Sequence, residues 1–143
     1  MSISPNALSG WATLMGSLAK TLDVKTRDGI ALAVSEADGC DYCLAAHSFI
    51  AGNLGKIPAD EIELNREGRS TKRQAAVAFA KALIETRGKV SDAQFAAVRD
   101  AGWTDANIVE MIALTAQFLL TNFMNNAVQT PIDFPEVSPA KAA

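Results

Sequence analysis

Apolar residues recur every three or four positions along almost the whole chain, which is the spacing of one face of an α-helix. The first such stretch runs from Asn6 to about Leu22. No stretch alternates strictly between apolar and polar residues, as a half-buried β-strand would. The pattern therefore predicts an all-α protein, a helical bundle that forms a single domain over 1–143 without repeats or an interdomain linker.

Capping residues, glycines and prolines divide this pattern into separate helices. Asp23 or Thr26 is suited to begin the second helix, which ends near Gly39, and a third helix is predicted from about Cys40 to Gly55. The remaining helices are bounded by the same signals: Pro58 to Gly68, Ser70 followed by 71–86 and Gly88, a Ser91–Gln94 capping box with an end at Gly102, and Thr104 followed by the longest helix to about Val128. The proline-rich tail from about 131 is predicted to be an extended arm.

The composition predicts a folded domain without affinity for polyanions. Of the 143 residues, 49% are hydrophobic and 20% are charged, which is enough apolar material for a core. The net charge of −3 and the pI of about 5.1 disfavour binding to nucleic acid or to anionic membranes. The N-terminus lacks the basic and apolar regions of a signal peptide, and no apolar run approaches about 18 residues without a polar break. We expect a cytoplasmic protein with no nucleic-acid or membrane partner.

The last predicted helix is apolar around most of its circumference, and such a helix needs cover on every side. Its apolar positions are Ile108, Val109, Met111, Ile112, Leu114, Phe118, Leu119, Leu120 and Phe123. A single chain of this length has few helices to supply that cover, which favours a subunit interface. The alternative is that this helix is the central core helix of one chain.

The only two cysteines, Cys40 and Cys43, stand three residues apart, and the only histidine, His47, follows one helical turn later. On a helix that begins near Cys40, these positions share one face, so the sulfurs can approach to disulfide distance. A helix N-terminus lowers the pKa of a nearby thiol, and the imidazole can take the proton of Cys43. The spacing therefore predicts a thiol nucleophile with a second cysteine that closes a disulfide.

Three other side chains are candidates for the same site. Glu36 lies four residues before Cys40 and Asp28 eight residues further back, so either carboxylate is a candidate to orient His47. Tyr42, the only tyrosine, is a candidate to donate its hydroxyl to the site. The alternatives are a solvated surface carboxylate in each case and a packing role for Tyr42.

Zinc binding by Cys40, Cys43 and His47 is an alternative use of the same residues. Structural zinc sites usually bring a second pair of ligands from elsewhere, and this chain has no further cysteine or histidine. A purely structural CxxC is another alternative. A thioredoxin-type site is disfavoured, because that fold requires strands. We therefore predict no metal, and no cofactor other than the redox-active disulfide.

The segment from Leu32 to His47, LAVSEADGCDYCLAAH, resembles the signature of the alkylhydroperoxidase D-like proteins, within the carboxymuconolactone decarboxylase superfamily. The stretch from Val98 to Glu110 is similar to the same family, and so is the asparagine-bearing end of the long helix. Its asparagines are Asn122, Asn125 and Asn126. The likeness covers about 27–131, and its most specific part is the CxxCxxxH core.

The resemblance implies an all-α fold that assembles into a homo-oligomer, a hexamer or a trimer. It implies reduction of hydroperoxides through a redox-active disulfide, in which Cys43 reacts with the peroxide and Cys40 resolves. The helix terminus alone favours Cys40 as the more acidic thiol. The resemblance also implies a proton relay through a histidine and a carboxylate, and a dithiol reductant such as a lipoyl-type protein.

The chain departs from the family pattern at two positions. Tyr42 replaces a histidine between the cysteines, and Asp28 occupies the position of the relay glutamate, so Glu36 is the alternative carboxylate. The leading hypothesis is a thiol-dependent hydroperoxide reductase in antioxidant defence. The alternatives are a general dithiol–disulfide oxidoreductase, and a non-enzymatic helical binding protein whose CxxC is vestigial or binds zinc.

Overall fold

The computed structural model describes residues 3–137, which form seven α-helices and no β-strand. In chain order the helices are α1 (Pro5–Leu18), α2 (Val24–Asp38), α3 (Asp41–Asn53), α4 (Ala59–Arg66), α5 (Gln74–Glu85), α6 (Asp92–Asp100) and α7 (Asp105–Val128). Asp23 caps α2 by accepting from the Thr26 amide, and capping boxes open α6 at Ser91 and α7 at Thr104. The prediction of an all-α fold is confirmed.

The end of the first helix was predicted wrongly. It lies at Leu18 rather than near Leu22. The Thr21 hydroxyl donates to the Leu18 carbonyl oxygen at 3.1 Å, and the Arg27 guanidinium donates to the carbonyl oxygen of Ala19 at 2.8 Å. These carbonyl groups therefore take side-chain donors in place of the amides that a longer helix would supply.

The start of α5 also differs from the prediction, because it lies at Gln74 rather than at Thr71. The Ser70 hydroxyl accepts from the Arg73 amide at 2.9 Å, as a capping residue does, but it also donates to Glu61 of α4 at 2.5 Å. This second bond ties 70–73 to α4 as a turn, and the helix begins directly after it.

The central helix of the bundle is α2. It packs against α3, α4, α5 and α7, and every residue from Gly29 to Ser35 is buried. The main core cluster also takes side chains from α1, α5, α6 and α7, and its buried members include Ile30, Phe79 and Leu114. The helix α3 also contacts α7. The hydrogen bond between Asn125 and Cys43 places the start of α3 beside the end of α7.

The longest helix, α7, has two different faces. One face lies in the core through residues such as Met111, and the helix contacts α1, α2, α3 and α5. The other face exposes what we call the α7 apolar stripe, formed by Val109, Ile112, Leu120 and Phe123. By length and composition α7 would suffice to cross a membrane, with a mean hydropathy of 1.2 in its most apolar window. Here the core-helix interpretation is correct for one of its faces.

The C-terminal arm, 130–137, contains no helix and packs on α3. The Phe134 ring lies 5.7 Å from that of Tyr42 and 5.8 Å from that of Phe49, between ring centroids. Val137 packs on a second apolar cluster that includes Leu44 of α3. The rest of the predicted arm, 138–143, lies outside the described residues.

Candidate functional site

Cys40 is the N-cap residue of α3, as the sequence predicted. Gly39 ends α2 at φ 67° and ψ 40°, in the left-handed region that glycine adopts without strain, and so turns the chain sharply into α3. The Cys40 sulfur accepts a hydrogen bond from the Cys43 amide at 3.3 Å, and thus takes the place of the usual oxygen cap. Both thiols are free, and only 1% of Cys40 and 3% of Cys43 are exposed.

The two thiols differ in their pKa values. A hydrogen bond from the Cys43 thiol, helped by the bond from its amide, lowers the pKa of Cys40. The same thiol hydrogen bond, together with burial, raises the pKa of Cys43. Cys40 is therefore the more acidic thiol of the reduced protein, as its position at the helix terminus predicts. Which thiol attacks and which resolves stays a prediction.

The end of α7 supplies a further partner for this pair. The Asn125 amide nitrogen donates to the Cys43 sulfur at 3.2 Å, which lowers the pKa of Cys43 against the larger effects of Cys40 and burial. The amide oxygen of Asn125 accepts from the Thr130 hydroxyl at 2.9 Å, which holds the amide in that orientation. The sequence marked Asn125 only through the family resemblance and gave it no role.

Three residues of α7 cover the dithiol region from one side. Phe118, Asn122 and Asn125 stand four and three residues apart, so they share one face of the helix. Their neighbours are, in that order, His47, Asp38 and Cys43. The signal for this arrangement was the presence of polar residues within an apolar helix, but a periodic pattern does not tell which residue each one faces.

His47 lies against the ring of Phe118, edge to face, at a centroid distance of 5.2 Å and an interplanar angle of 80°. Burial lowers the pKa of His47 to about 4, so the imidazole is neutral at pH 7. Within residues 3–137, no hydrogen bond joins His47 to Cys40, Cys43 or Asp28. The proton relay through His47 stays a prediction.

Glu36, the first candidate carboxylate, is paired with α4. The Arg66 guanidinium donates to Glu36 at 2.8 Å through Nε and to Glu63 at 2.8 Å through Nη1. Only 3% of the Arg66 side chain and 16% of the Glu36 side chain are exposed, whereas Glu63 is 60% exposed. A buried guanidinium needs such partners, so Glu36 has a structural role that the sequence did not indicate.

Asp28, the second candidate, lies at the opposite end of α3 from the thiols. A β-carbon added to Gly55 would stand 2.7 Å from Asp28 Oδ2, so the carboxylate packs directly over this glycine, just past the end of α3. The same oxygen is buried without a hydrogen-bond partner, and burial raises the pKa of Asp28. Cys40 and Cys43, in contrast, occupy the first turn of α3.

Tyr42 faces the C-terminal arm. Its ring meets Phe134 edge to face, and partial burial together with the Asp133 carboxylate beside its hydroxyl raises the pKa of Tyr42. The negative charge of a Cys43 thiolate would act on it in the same direction. Both interpretations from the sequence therefore have a basis here, since Tyr42 packs on the arm and also lies near a thiol.

The described residues hold no ready-made metal site. Among residues 3–137, side chains of histidine, cysteine, aspartate and glutamate form no group of three or more with the geometry to hold a metal ion. The contacts of Cys40 and Cys43 are instead with each other and with Asn125.

The first comparison with known proteins concerns the sequence. The model of the carboxymuconolactone decarboxylase family matches residues 5–86, which is more than half of the chain and includes the CxxCxxxH segment. No curated protein matches the chain in sequence.

Solved structures agree with that match. An uncharacterized peroxidase-related protein from Ralstonia eutropha, an alkylhydroperoxidase AhpD core, is 27% identical, with a TM-score of 0.78 over 90% of this chain and 72% of that chain. A protein of unknown function from Agrobacterium tumefaciens is 17% identical, with a TM-score of 0.81 over 91% of this chain and 92% of that chain. The debrominase Bmp8, in complex with 2,3,4-tribromopyrrole, is 21% identical, with a TM-score of 0.80 over 93% of this chain and 74% of that chain. The last two likenesses show the fold alone.

The family model matches more than half of the sequence, and the solved structures share the helical architecture. The chain belongs to the carboxymuconolactone decarboxylase family, and it is an alkylhydroperoxidase D-like member of that superfamily.

Proposed function

We propose that the protein is a thiol-dependent reductase of hydroperoxides, in which Cys40 and Cys43 alternate between a dithiol and a disulfide. The observation that carries the proposal is the pairing of two buried thiols at the start of α3, where the Cys43 amide donates to the Cys40 sulfur at 3.3 Å. The likeness to a peroxidase-related protein at 27% identity supports the same class of reaction.

The lower pKa of Cys40 orders the proposed steps, because the reactive dithiol carries a Cys40 thiolate beside a Cys43 thiol. The Cys43 proton passes to the Cys40 thiolate while the Cys43 sulfur attacks a peroxide oxygen. A sulfur–oxygen bond forms, the oxygen–oxygen bond breaks, and the departing alkoxide takes up a proton to become an alcohol. Cys40 then attacks the Cys43 sulfenic acid, so that a disulfide forms and water leaves. A dithiol reductant, for which we propose a lipoyl-type protein, returns both thiols to the reduced state.

A cavity of about 240 Å³ between α1 and the end of α7 supports a small organic substrate. Its apolar lining consists of Leu8, Trp11, Met124 and Val128. Asn125 belongs to the same lining and is also the donor to the Cys43 sulfur. A substrate bound in this cavity therefore lies one side chain away from Cys43, the thiol that we propose to attack the peroxide.

The test is oxidation of the reduced protein by a stoichiometric amount of an organic hydroperoxide. We expect mass spectrometry to show the loss of two hydrogens within one chain, and a dithiol donor to sustain peroxide consumption. Cys40→Ser and Cys43→Ser should each abolish turnover, and Cys40→Ser should leave a sulfenic acid on Cys43 that a carbon nucleophile traps. Absence of peroxide consumption with every dithiol donor, or a disulfide between chains, would contradict the proposal.

A second candidate function is dithiol–disulfide exchange with little peroxide reduction. The observation that favours it is the pKa of His47, which burial lowers to about 4, because so weak a base removes a thiol proton poorly. If the predicted relay operates, His47→Gln should slow peroxide reduction by about 10²-fold. Equal peroxide rates in the wild type and His47→Gln, with rapid reduction of small disulfides, would select the second function.

We also propose that the protein is a homo-oligomer, a hexamer or a trimer, joined through the α7 apolar stripe. Exposed apolar side chains on a core helix are stabilised when a second copy covers them. Light scattering should give a multiple of the 15.1 kDa subunit. Phe123→Glu should dissociate the assembly, whereas Asn126→Glu, at an exposed position on the same helix, should not. A mass of one chain for the wild type would contradict this.

A further inference from the structure

Asp38 is a carboxylate near the thiols that the sequence did not single out. It is the last residue of α2 and stands two residues before Cys40. Its negative charge raises the pKa of both Cys40 and Cys43. Asp38 is therefore within electrostatic reach of both sulfurs.

Asp38 and its neighbour Asn122 carry unused hydrogen-bonding capacity. Asp38 Oδ2 is buried without a hydrogen-bond partner. Both polar atoms of the Asn122 amide are also buried without a partner, and only 1% of Asn122 is exposed. The amide lies near enough to lower the pKa of Asp38, while burial, the larger effect, raises it. Unpaired buried polar atoms cost stability, so their concentration beside two thiols points to a role other than holding the fold.

Asp38 also lies at the edge of a cavity of about 560 Å³ between α5 and α7. The apolar walls of the cavity are Leu83, Ile84, Ile112, Leu119 and Phe123. Thr115, another lining residue, has a buried hydroxyl without a partner. The thiols are almost completely buried, and Asp38, which lines this cavity, stands two residues before Cys40.

We propose that Asp38, which lies beside Asn122, exchanges protons with the dithiol when the disulfide closes. This inference deepens the proposed function and rests on its Cys40–Cys43 chemistry. As the Cys40 thiol attacks the oxidised Cys43 sulfur, the sulfur–sulfur bond forms and the bond to the leaving oxygen or sulfur breaks. The Asp38 carboxylate accepts the Cys40 proton and passes a proton to the leaving hydroxide or thiolate. Water or a thiol departs, and Asp38 ends in its initial state.

The surroundings of Asp38 leave it suited to this exchange. On α3, the two thiols and Asp41 follow Asp38 in sequence, and the charge of Asp41 also raises the pKa of Cys40. Arg87, just past the end of α5, lines the same cavity as Asp38 but forms no ion pair with it in the described structure. From α7, the neighbours are the uncharged Asn122 and Thr115. Asp38 thus has uncharged polar neighbours on α7 and no paired cation among the described residues.

The experiment uses an aromatic disulfide that releases a coloured thiolate. The first protein thiol releases one equivalent and forms a mixed disulfide, and the second thiol then closes the protein disulfide and releases another. Asp38→Asn should accelerate the first phase several-fold at pH 7, because loss of the negative charge lowers the thiol pKa. It should slow the second phase by about 10²-fold, because the proton acceptor is gone. A merely structural residue would move both phases in the same direction.

Asp41→Asn is the matched control, since Asp41 is exposed and its charge also raises the pKa of Cys40. This variant should accelerate the first phase and leave the second unchanged, and Asp38→Glu should restore the second phase. An unchanged second phase in Asp38→Asn, or equal slowing of both phases, would overturn the inference. Because no peroxide is used, a wild type with an Asp38-dependent second phase but no peroxide consumption would refute the proposed function and retain the role of Asp38.

Discussion

Glu36 and Asp38, two carboxylates near the end of α2, stand two residues apart but differ in their hydrogen-bond partners. Glu36 binds the buried guanidinium of Arg66 at 2.8 Å. Asp38 has a buried oxygen without a hydrogen-bond partner, and the amide of Asn122 beside it is unpaired as well. The first arrangement satisfies what folding demands of a buried charge, whereas the second retains unmet hydrogen bonds next to reactive thiols.

A structural carboxylate differs from a functional one in whether its buried charge is paired. A charge that leaves water loses hydration, and an ion pair with good hydrogen bonds returns part of that loss. When one partner of such a pair is removed, the other charge is left uncompensated. Asp38 has no cationic partner in the described structure, so a neutral replacement leaves no buried charge behind. Pairing therefore distinguishes the two residues better than their distance from Cys40 along the sequence.

The largest effect is expected on folding stability, where replacement of Glu36 and replacement of Asp38 should differ. Glu36→Gln should lower the free energy of unfolding by about 3 kcal/mol, because it leaves the Arg66 guanidinium buried with a weakened partner. Asp38→Asn should change it by less than about 0.5 kcal/mol. Urea denaturation at pH 7 measures both. Glu63→Gln removes the exposed partner of the same arginine and is the control, with an expected loss of less than about 1 kcal/mol.

Equal destabilisation by Glu36→Gln and Asp38→Asn would contradict this distinction, because both carboxylates would then be structural. A Glu36→Gln protein as stable as the wild type would contradict it as well. The ion pair would in that case contribute nothing to folding, and Glu36 would again be a candidate for the proton relay.

The next effect concerns His47, a buried group that is neutral rather than charged. Its pKa is lowered from 6.5 to about 4, so between these values the unfolded chain binds a proton that the folded chain does not. The stability is therefore present above pH 6.5 and is lost as the pH falls toward 4, by at most about 3 kcal/mol. Denaturation midpoints across this window should fall steeply for the wild type and much less for His47→Gln. Parallel curves for the two proteins would show that His47 titrates normally.

A smaller effect is expected at Asn125, the one amide of α7 that binds a sulfur in the structure. Its removal in Asn125→Ala should raise the pKa of Cys43 further and slow alkylation of this thiol at pH 7 by about tenfold, the equivalent of one hydrogen bond of about 1.4 kcal/mol. Peptide mass spectrometry after timed alkylation gives the rate at each cysteine. Asn126→Ala, an exposed neighbour, should leave it unchanged. If both variants react like the wild type, the amide does not stabilise the thiolate.

The local part of this site could be predicted from the sequence. Cys40 as the start of α3, and Cys43 and His47 on the following turns, follow from spacing and from the glycine before them. Such signals are local, because a cap or a helix face depends on residues within one or two turns. The two boundaries that were wrong, at the end of α1 and the start of α5, are those where a side chain forms an additional bond, in both cases with a residue of another helix.

The partners from other helices could not be predicted. Arg66 reaches Glu36 across 30 positions of sequence, and Asn125 reaches Cys43 across 82. Nothing in a periodic pattern specifies which polar residues of two packed helices meet. Asp38 was not singled out because, in the sequence, it looks like an ordinary acidic residue near a helix end, and only the burial of its Oδ2 beside Asn122 distinguishes it.

The smallest effect is expected at Tyr42, where the same distinction between a structural and a functional group applies to a hydroxyl. The Asp133 carboxylate of the arm raises the pKa of the Tyr42 hydroxyl, and the Tyr42 ring packs on Phe134, so we expect Tyr42 to serve the structure rather than the chemistry. Tyr42→Phe keeps the ring on Phe134 and should change the two alkylation rates by less than about twofold, with a loss of stability below about 1 kcal/mol. Tyr42→Ala also removes the ring contact and should loosen the arm, which hydrogen exchange at 130–137 would report. A Tyr42→Phe protein whose Cys43 reacts many times more slowly than the wild type would show instead that the hydroxyl serves the thiol.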